Sequence, residues 1–230
     1  MSKVLLELEM VRKSYTVSDT ERVPVLRGVS LKVEPGACVA ITGPSGSGKS
    51  TLLNLCGGLD SPDSGRVLFD GTDLGTLDDR ALSGMRSRRI GFVFQLHHLL
   101  GQCTVLENVL VPTLAGGDLD RDARELAAAR ARTLLDQVGL SDRLDHLPSQ
   151  ISVGERQRAA IARALVNDPE VLLADEPTGA LDSENSRQLA ATFAELHEQT
   201  GLTMLVVTHS AEFAAEMATT LRLLDGVLSE

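Results

Sequence analysis

The stretch Gly43-Pro44-Ser45-Gly46-Ser47-Gly48-Lys49-Ser50 decides the fold predicted for this chain. It fits the pattern G-x-x-x-x-G-K-[ST], in which the backbone N–H groups of a glycine-rich loop surround the phosphates of a nucleotide. The apolar residues 39–42 before it predict a buried parallel strand, and residues 50–55 after it favour a helix. This order places phosphates at the positive end of a helix dipole. A flexible turn rich in glycine and serine is the weaker alternative.

A second stretch, Val171-Leu-Leu-Ala-Asp-Glu176, is an apolar run that ends in two adjacent carboxylates. Two acids at the end of a buried strand are costly to bury without partners. We therefore expect Asp175 and Glu176 to bring metal and water chemistry to the nucleotide. Lys49 is expected to reach the β- and γ-phosphates, and the Ser50 hydroxyl to bind Mg²⁺. The two stretches together predict a nucleotide-hydrolysing enzyme.

Composition and charge are those of an ordinary globular protein. The 230 residues suffice for one well-buried domain, and 43% of them are hydrophobic and 23% charged. A net charge of −10 argues against a nucleic-acid-binding surface as the main role. The short cluster Arg86, Arg88 and Arg89 is interpreted as a solvated helix face.

The three cysteines are typical of a protein in a reducing compartment, and the apolar runs are too short to predict a membrane span. Cys38, Cys56 and Cys103 have neither metal-ligand nor C-x-x-C spacing, so we expect buried or incidental thiols. Acids interrupt the apolar residues at the start of the chain, unlike a signal peptide. No apolar run approaches the roughly 18 residues of a membrane span. A membrane role is therefore expected to come through a partner.

Strands and helices are predicted to alternate around the two stretches. Strands are predicted at 5–11, 25–33, 39–42, 66–71, 90–94, 171–174 and 203–207, and helices at 50–55, 78–89, 122–138 and 184–199. Residues 104–164 are mostly helical in character, with Gly139 at a helix C-cap. The order predicts an α/β core with a helical insertion rather than two independent domains.

Three segments are predicted to be loops or turns. The polar residues 17–23 are interpreted as a hairpin loop, and residues 116–122 as a hydrophilic connector. Asp225-Gly226 is typical of a tight turn in a final hairpin.

A second phosphate-binding device is predicted at Ile151-Ser-Val-Gly-Glu155. These residues open a predicted helix, with Ser152 suited to cap it and the Gly154 amide near its N-terminus. One chain with two phosphate sites suggests that the second serves a nucleotide held by another copy.

With these residues in view, the chain resembles the ABC ATPases along essentially its whole length. The motifs of that family fall here in order: Tyr15, residues 43–51, Gln95, residues 151–155, Asp175 and Glu176, Asp182, and His209. The resemblance implies one domain over residues 1–230. Its fold would be an α/β ABC-type P-loop NTPase core with an antiparallel β subdomain and a helical subdomain at about residues 96–165.

The resemblance also implies how ATP is bound. Tyr15 would stack on the adenine ring, although a half-exposed strand tyrosine is the plainer interpretation. The phosphate-binding loop would comprise Gly43, Pro44, Ser45, Gly46, Ser47, Gly48, Lys49, Ser50 and Thr51. The signature residues Ser152, Gly154 and Glu155, together with Asp182, would bind the nucleotide of a second copy.

Four further roles are implied for hydrolysis. Asp175 would hold Mg²⁺ through water, and Glu176 would polarise the attacking water as general base. Gln95 would touch both Mg²⁺ and that water while sensing the transporter subunit, and His209 would contact the γ-phosphate. The remaining histidines are interpreted as structural rather than as ligands: His97, His98, His146 and His197.

One residue departs from the family pattern. Val153 stands where the family usually has a second glycine. A β-branched residue does not adopt a positive φ at low cost, and it brings bulk towards the nucleotide. We therefore expect an effect on closure and turnover rate, and none on nucleotide binding.

Residues 92–100 and 104–109 look like the macrolide-exporter and lipoprotein-releasing branch of the family, as do residues 52–60 and 174–179. Leu96, Leu99 and Leu100, beside Gln95, are expected to line an apolar groove for a helix of a membrane subunit. The alternative is that these leucines belong to the core.

The resemblance implies an ATP-hydrolysing transporter subunit with ATP and Mg²⁺ as cofactors. It would form a homodimer with two ATP molecules at the interface, beneath an integral membrane permease on the cytoplasmic face of the inner or plasma membrane. No nucleic-acid partner is expected. The exported or extracted substrate would be a lipoprotein, a peptide or a drug-like molecule.

The serious alternative is a cell-division-type ABC ATPase that activates cell-wall enzymes through a membrane partner without transport. Its sequence would look much like this one. ABC ATPases that act on DNA or translation would normally add a coiled-coil insertion or a second ATPase domain. A nucleotide or shikimate-type kinase would lack the signature and His209.

Overall fold

The computed structural model describes residues 4–18, 21–116 and 120–229. The strands are β1 Leu6–Ser18, β2 Glu21–Val33, β3 Cys38–Thr42, β4 Ser64–Phe69, β5 Thr72–Asp73, β6 Ile90–Val93, β7 Val171–Asp175, β8 Thr203–Thr208, β9 Thr219–Leu224 and β10 Val227–Ser229. The α-helices are α1 Lys49–Cys56, α2 Asp79–Arg89, α3 Val105–Leu110, α4 Arg121–Gln137, α5 Val153–Leu165, α6 Ser183–Thr200 and α7 Ala211–Ala215. Short 3₁₀ helices are Leu74–Thr76, Val111–Gly116, Ser141–Arg143 and Pro148–Gln150.

Two sheets organise these elements. The larger has the order β10-β9-β3-β8-β7-β6, and every pair in it is parallel except β9–β10. The smaller, with the order β2-β1-β4-β5, is antiparallel. Because β3, β7 and β8 run in the same direction, their carboxyl ends meet at one edge, where ligands bind in open α/β sheets. This confirms the predicted α/β fold.

The central strands are apolar along their whole length because both faces of the larger sheet are covered. In β3, Ala40 joins the core cluster formed with α3 to α7, whereas Val39 and Ile41 join the cluster that contains α1 and the antiparallel sheet. β7 alternates in the same way, with Leu172 facing the first cluster and Leu173 the second. The alternation follows from the two-residue period of a strand.

The hairpin of β1 and β2 is longer than predicted. Its strands pair from Leu6↔Val33 to Ser18↔Glu21, so most of the predicted loop at 17–23 is strand. Residues 19–20 lie outside the described part of the chain. The polar sequence misled because exposed antiparallel strands need no apolar alternation, and β-branched residues such as Thr16 and Val23 favour extended backbone.

The helical region lies between β6 and β7 in the chain and contains α3, α4 and α5. Gly139, with a φ of 69°, follows the end of α4 as predicted. Of the predicted connector at 116–122, residues 117–119 lie outside the described residues, and Asp120 caps α4 by accepting from the N–H of Ala123. The subdomain boundary at about 96–165 stays a prediction.

Only one of the three arginines at the end of α2, Arg88, is exposed as expected for a solvated face, whereas Arg86 and Arg89 are half-buried. Arg89 donates to Glu170 and Asp70, and its guanidinium lies 4.8 Å from the ring centre of Phe69. Arg86 donates to the carbonyl of Gly58 at 2.6 Å. These contacts tie α2 to the loops after α1 and β4 and to the residue before β7. The net charge of the sequence gives no sign of them.

Candidate nucleotide-binding site

The loop between β3 and α1 is shaped by close backbone approaches. A Cβ atom on Gly43 would lie 2.2 Å from the carbonyl oxygen of Leu223, so only glycine fits there. Gly48 caps α1 with a φ of 103°, which is a conformation that disfavours side chains. It supplies no side-chain cap, so the first N–H groups of α1 keep their capacity for an anion.

Ser47 adds a polar atom without a partner. Its side chain is buried, and its Oγ has no hydrogen-bond partner among the described residues. A buried hydroxyl in this state is costly. This oxygen lies beside Gly43, 2.9 Å from the position of a Cβ on that residue, so the polar group adds to the dense packing of the loop.

Lys49 is held inside the loop. Its Nζ donates to the carbonyls of Gly43 at 2.9 Å and Pro44 at 3.2 Å, and it lies 3.4 Å from Oε1 of Glu176. The side chain is only 7% exposed. A buried ammonium needs anionic or carbonyl oxygens around it. Phosphate oxygens at this position would supply the same interaction.

Ser50 and Asp175 form a pair of oxygen ligands. The Ser50 Oγ donates to Oδ1 of Asp175 at 3.0 Å. Burial raises the pKa of Asp175, and the charge of the neighbouring Glu176 raises it further. The hydrogen bond from Ser50 acts in the opposite direction. A cation at this point would favour the ionised carboxylate.

The donor set fits Mg²⁺ held together with a nucleotide. Among the described residues, no three His, Cys, Asp or Glu side chains gather into a metal cluster. Mg²⁺ usually binds through one or two carboxylates together with substrate phosphates rather than in an all-protein cage. A hydroxyl beside one carboxylate matches that mode.

Glu176 is the centre of a polar cluster. Its Oε2 accepts from the backbone N–H of His209 at 2.9 Å and lies 2.9 Å from Nδ1 of that residue. Its backbone has a φ of 44°, although it is not glycine, and its N–H donates to the carbonyl of Val207 at 2.8 Å. Such a conformation costs energy and is typical of functional positions. The carboxylate is thereby directed towards Lys49.

These residues line one cleft of about 650 Å³. Its walls are Tyr15, Val25, Ser45, Gly46, Gly48, Lys49, Ser50, Thr51, Gln95, Glu176 and His209. The volume suits a nucleotide-sized ligand. The loop after β3 thus converges with Gln95, Glu176 and His209, which follow β6, β7 and β8, as expected for the carboxyl ends of parallel strands.

The signature residues and Asp182 form a second group. Ser152 caps α5 in a reciprocal box with Glu155: the N–H of Glu155 donates to the Ser152 Oγ, and the N–H of Ser152 to Oε2 of Glu155. Asp182 caps α6 and accepts from the backbone N–H and the side-chain Nδ2 of Asn185. Gly154 packs against Asn185, since a Cβ there would lie 2.6 Å from its Oδ1.

None of these second-group residues lines the cleft. The box with Ser152, and the contact with Arg143 at 3.0 Å, lower the pKa of Glu155. The predicted site residues therefore fall into two clusters within one copy.

Comparison with known proteins identifies the family. A family model described as "ABC transporter" matches residues 26–179. The chain belongs to the ABC transporter family. The predicted fold class and the prediction of an ABC-type ATPase are thereby confirmed.

Relatives in two groups match this ABC ATPase closely. It is 50% identical over 222 residues to the lipoprotein-releasing system ATP-binding protein LolD of Geobacter metallireducens, covering 96% of each chain. The LolD protein of Ruegeria pomeroyi is 50% identical over 229 residues, which are 100% of this chain and 99% of that one. The macrolide export ATP-binding/permease protein MacB of Rhodopirellula baltica is 47% identical over 226 residues, which are 98% of this chain but 33% of that protein. The predicted branch is confirmed.

Solved structures agree. A dimeric structure of MJ0796, described as a bacterial ABC transporter cassette, has a TM-score of 0.88 and 39% identity, covering 98% of this chain and 97% of the other. A dimer of the same cassette in a post-hydrolysis state, bound to ADP and Pi, has a TM-score of 0.87 and 38% identity over the same shares.

The strain predicted for Val153 is wrong. This residue is the first of α5 and is absent from the non-glycine residues with positive φ in the described part of the chain. Its backbone is helical, because Ser152 makes the turn into the helix. Its side chain is 41% exposed, so only the predicted bulk remains as an effect.

The leucines after Gln95 divide between core and surface. Leu99 is half-buried and packs against the larger core cluster, whereas Leu96 is 64% and Leu100 42% exposed. Leu99 thus fits the core alternative better, and a groove lined by these leucines stays a prediction. A groove of about 420 Å³ lies nearby, and its walls include Leu59, Arg86, Phe92, Phe94, Val111, Pro112 and Arg163.

The other histidines and the cysteines have structural surroundings. His197 lies with its Nδ1 3.0 Å from the carbonyl of Leu202, and burial lowers the pKa of His97. The cysteines are free, Cys38 and Cys56 buried and Cys103 half-buried. Among the helices of residues 4–18, 21–116 and 120–229, none is long and apolar enough to cross a membrane.

Two residues at the cleft were missed in the sequence. Val25, on β2, forms part of the wall and lies within 3.0 Å of a Cβ built on Gly48. Asp60 accepts the hydroxyl of Tyr15 at 2.8 Å. Both positions depend on contacts between residues that lie far apart in the chain, such as Asp60 and Tyr15. A local sequence pattern carries no signal for such contacts.

Proposed function

We propose that two copies of this chain bind two ATP–Mg²⁺ at their interface, hydrolyse them and drive a membrane permease. The observation that carries the proposal is the separation of the site residues into two clusters. The loop, Glu176 and His209 share one cleft, and Asp175 accepts from Ser50 in its wall, whereas Ser152, with its neighbours at the start of α5, lies outside the cleft. A second copy would bring its α5 N-terminus to the open side of the cleft.

In this proposal the residues of the cleft act on the phosphates. The loop amides and Lys49 bind and orient the phosphates, and Ser50 with Asp175 would hold Mg²⁺, which neutralises charge that develops during transfer. Glu176 polarises a water molecule, and His209 fixes the orientation of that carboxylate through two contacts to one oxygen. Gln95 lines the same cleft beside Gly179, and it would contact that water.

A membrane permease is the proposed partner, with a helix in the groove between Phe92 and Val111. The rings of Phe92 and Phe94 stack at 5.7 Å, and Leu59 and Val111 are exposed beside them. Arg86 and Arg163 also line the groove, with no carboxylate among its walls.

The charge of the groove indicates the chemistry of the occupant. Arg163 donates to the carbonyls of His97 and His98, and burial lowers its pKa. Neither Arg163 nor Arg86 has an ion pair among the described residues. On a chain of net charge −10, a groove with cations alone fits an amphipathic helix that carries an acidic residue.

The names of the relatives support export or extraction as the outcome. LolD is named for lipoprotein release and MacB for macrolide export. The substrate would be a lipoprotein, a peptide or a drug-like molecule that the permease exports or extracts, with this chain bound on the cytoplasmic face of the membrane. The type of permease encoded beside the gene tests this against the cell-division role: a four-span permease with a large extracytoplasmic domain supports export.

Glu176→Gln tests the two-copy site. The amide keeps the shape but does not act as a base, so ATP binding is retained while hydrolysis slows by about 10²–10⁴-fold. ATP that is not consumed should hold two copies together, which light scattering detects with ATP and Mg²⁺. The matched control is Glu176→Gln combined with Lys49→Ala, which should stay monomeric. A Glu176→Gln protein that binds ATP yet stays monomeric at saturation contradicts the proposal.

A further inference from the structure

The side chain of Tyr15 is held at its hydroxyl by Asp60 and at its ring by Lys13, which are themselves paired. Its hydroxyl donates to Oδ2 of Asp60 at 2.8 Å, and Nζ of Lys13 donates to Oδ1 of the same residue at 2.6 Å. The ammonium of Lys13 also lies 5.2 Å from the centre of the tyrosine ring. A ring fixed at its hydroxyl and next to a cation has little freedom to turn. The face away from Lys13 is the one left for a stacking partner.

Asp60 itself is tied to the phosphate-binding helix. It lies four residues after the end of α1, where the N–H of Leu59 donates to the carbonyl of Asn54 at 2.8 Å. Its Oδ1 accepts the N–H of Ser61, which fixes the carboxylate relative to its own backbone. The same helix begins at Lys49. Helix α1 and the short turn after it therefore join the residues that would bind the phosphates to the carboxylate that holds the ring.

We propose that Asp60 is a positioning residue for base recognition: it sets the Tyr15 ring at a fixed distance from the phosphate-binding loop. The inference rests on the proposed function, because it takes the ring as the platform for adenine. Asp60 touches neither base nor phosphate in this scheme. Its effect is confined to ligands that carry a base.

The protonation states agree with this arrangement. Burial raises the pKa of Tyr15, and Asp60 raises it further. The contact with Thr51 acts in the opposite direction and lowers it. The pKa of Asp60 is lowered: its burial acts in the opposite direction, and the hydrogen bonds from Lys13 and Tyr15 outweigh it. At neutral pH the hydroxyl is a donor and the carboxylate an acceptor.

Calorimetric titration of Asp60→Ala with ATP and with inorganic triphosphate, both with Mg²⁺, tests the proposal. Loss of one positioning hydrogen bond should weaken ATP binding by roughly 3- to 10-fold. Triphosphate affinity and kcat at saturating ATP should be unchanged, so KM alone rises. The matched control is Asp63→Ala, since Asp63 lies in the same turn and accepts the N–H of Ser14 at 2.8 Å without touching Tyr15. It should leave ATP affinity as in the wild type.

Tyr15→Phe provides a second variant that keeps the ring and removes only the hydroxyl. It should weaken ATP binding by a similar factor, and Asp60→Ala should have a smaller effect in that background than in the wild type. Tyr15 is the single tyrosine, and the chain has no tryptophan, so near-ultraviolet absorbance reports its ionisation directly. The ionisation midpoint should fall in Asp60→Ala and stay unchanged in Asp63→Ala.

Two results would overturn the inference. Equal losses of ATP and triphosphate affinity would make Asp60 a support of the loop, and unchanged ATP affinity in both Asp60→Ala and Tyr15→Phe would remove its role. Tyr15→Ala separates these from a failure of the proposed platform. If that variant binds ATP like the wild type, adenine does not stack there, whatever the hydrolytic site does.

Discussion

At the scale of single residues, the cleft combines groups whose charges are already compensated within the chain. Lys49 lies between two loop carbonyls and Glu176, and Glu176 in turn accepts from His209. These contacts keep a buried ammonium and a half-buried carboxylate satisfied. A bound nucleotide would therefore exchange oxygen partners at Lys49 rather than bury a new charge.

Lys49→Ala should weaken ATP binding by about 10- to 100-fold, because hydrogen bonds to charged groups contribute roughly 1.5–3 kcal/mol. Calorimetric titration with ATP and Mg²⁺ measures the loss, and a thermal unfolding curve of the same variant checks that the fold is retained. Lys49→Arg serves as the control that keeps the charge. Unchanged affinity in a folded Lys49→Ala protein would contradict the assignment of the loop.

At the scale of elements, helix α5 begins with a cap and ends in the core, and Val153 is its first residue. Val153 does not strain the backbone. Its side chain is therefore the difference from a family member that has glycine at this position. The exposed group lies beside Ser152, on the surface that we propose faces a second copy. Bulk at that surface affects closure before it affects the fold.

Val153→Gly should raise the ATPase rate of the assembled transporter or leave it unchanged, since it removes bulk near the proposed interface. Val153→Ala separates the two consequences of that change: it removes bulk but keeps a good helix former, whereas glycine also loosens the first turn. Steady-state ATPase assays at saturating ATP measure both. A clear loss of activity in both variants would mean that the valine side chain makes a favourable contact at the interface.

At the scale of the whole molecule, the sequence predicts what is local and apolar, and fails where distant segments meet. The strands β3, β7 and β8 are continuous apolar runs between turn residues, so their positions follow from the pattern alone. Caps such as Ser152 follow likewise from a short motif. Other features depend on contacts between segments that lie far apart in the chain. Examples are the long β1–β2 hairpin, the ion pairs of Arg89 and the hydrogen bond from Tyr15 to Asp60. No local window contains those partners.

The same distinction decides the outcome of charged substitutions after Gln95. Leu99→Asp should lower the melting temperature, because the half-buried side chain packs against the core cluster formed with α3 to α7 and a carboxylate there loses water without gaining a partner. Leu100→Asp, at an exposed position, should keep the stability within about 0.5 kcal/mol of the wild type. Thermal unfolding of both variants separates the core leucine from the surface one. Equal melting temperatures would contradict the division.

The last prediction concerns the groove between Phe92 and Val111, which we propose as the docking surface for the permease. Val111→Asp introduces a carboxylate beside Arg86 and Arg163, where it should compete with the acidic residue that we propose for the permease helix. The residue is 37% exposed, so the variant should fold and bind ATP. Association with the permease encoded beside the gene, measured by co-purification of the two proteins, should fall. Leu126→Asp is the control, since Leu126 is a 73% exposed leucine on α4 that lines no part of the groove. A folded Val111→Asp protein that co-purifies as well as this control would reject the groove as the docking surface, and the permease would have to bind elsewhere on the chain.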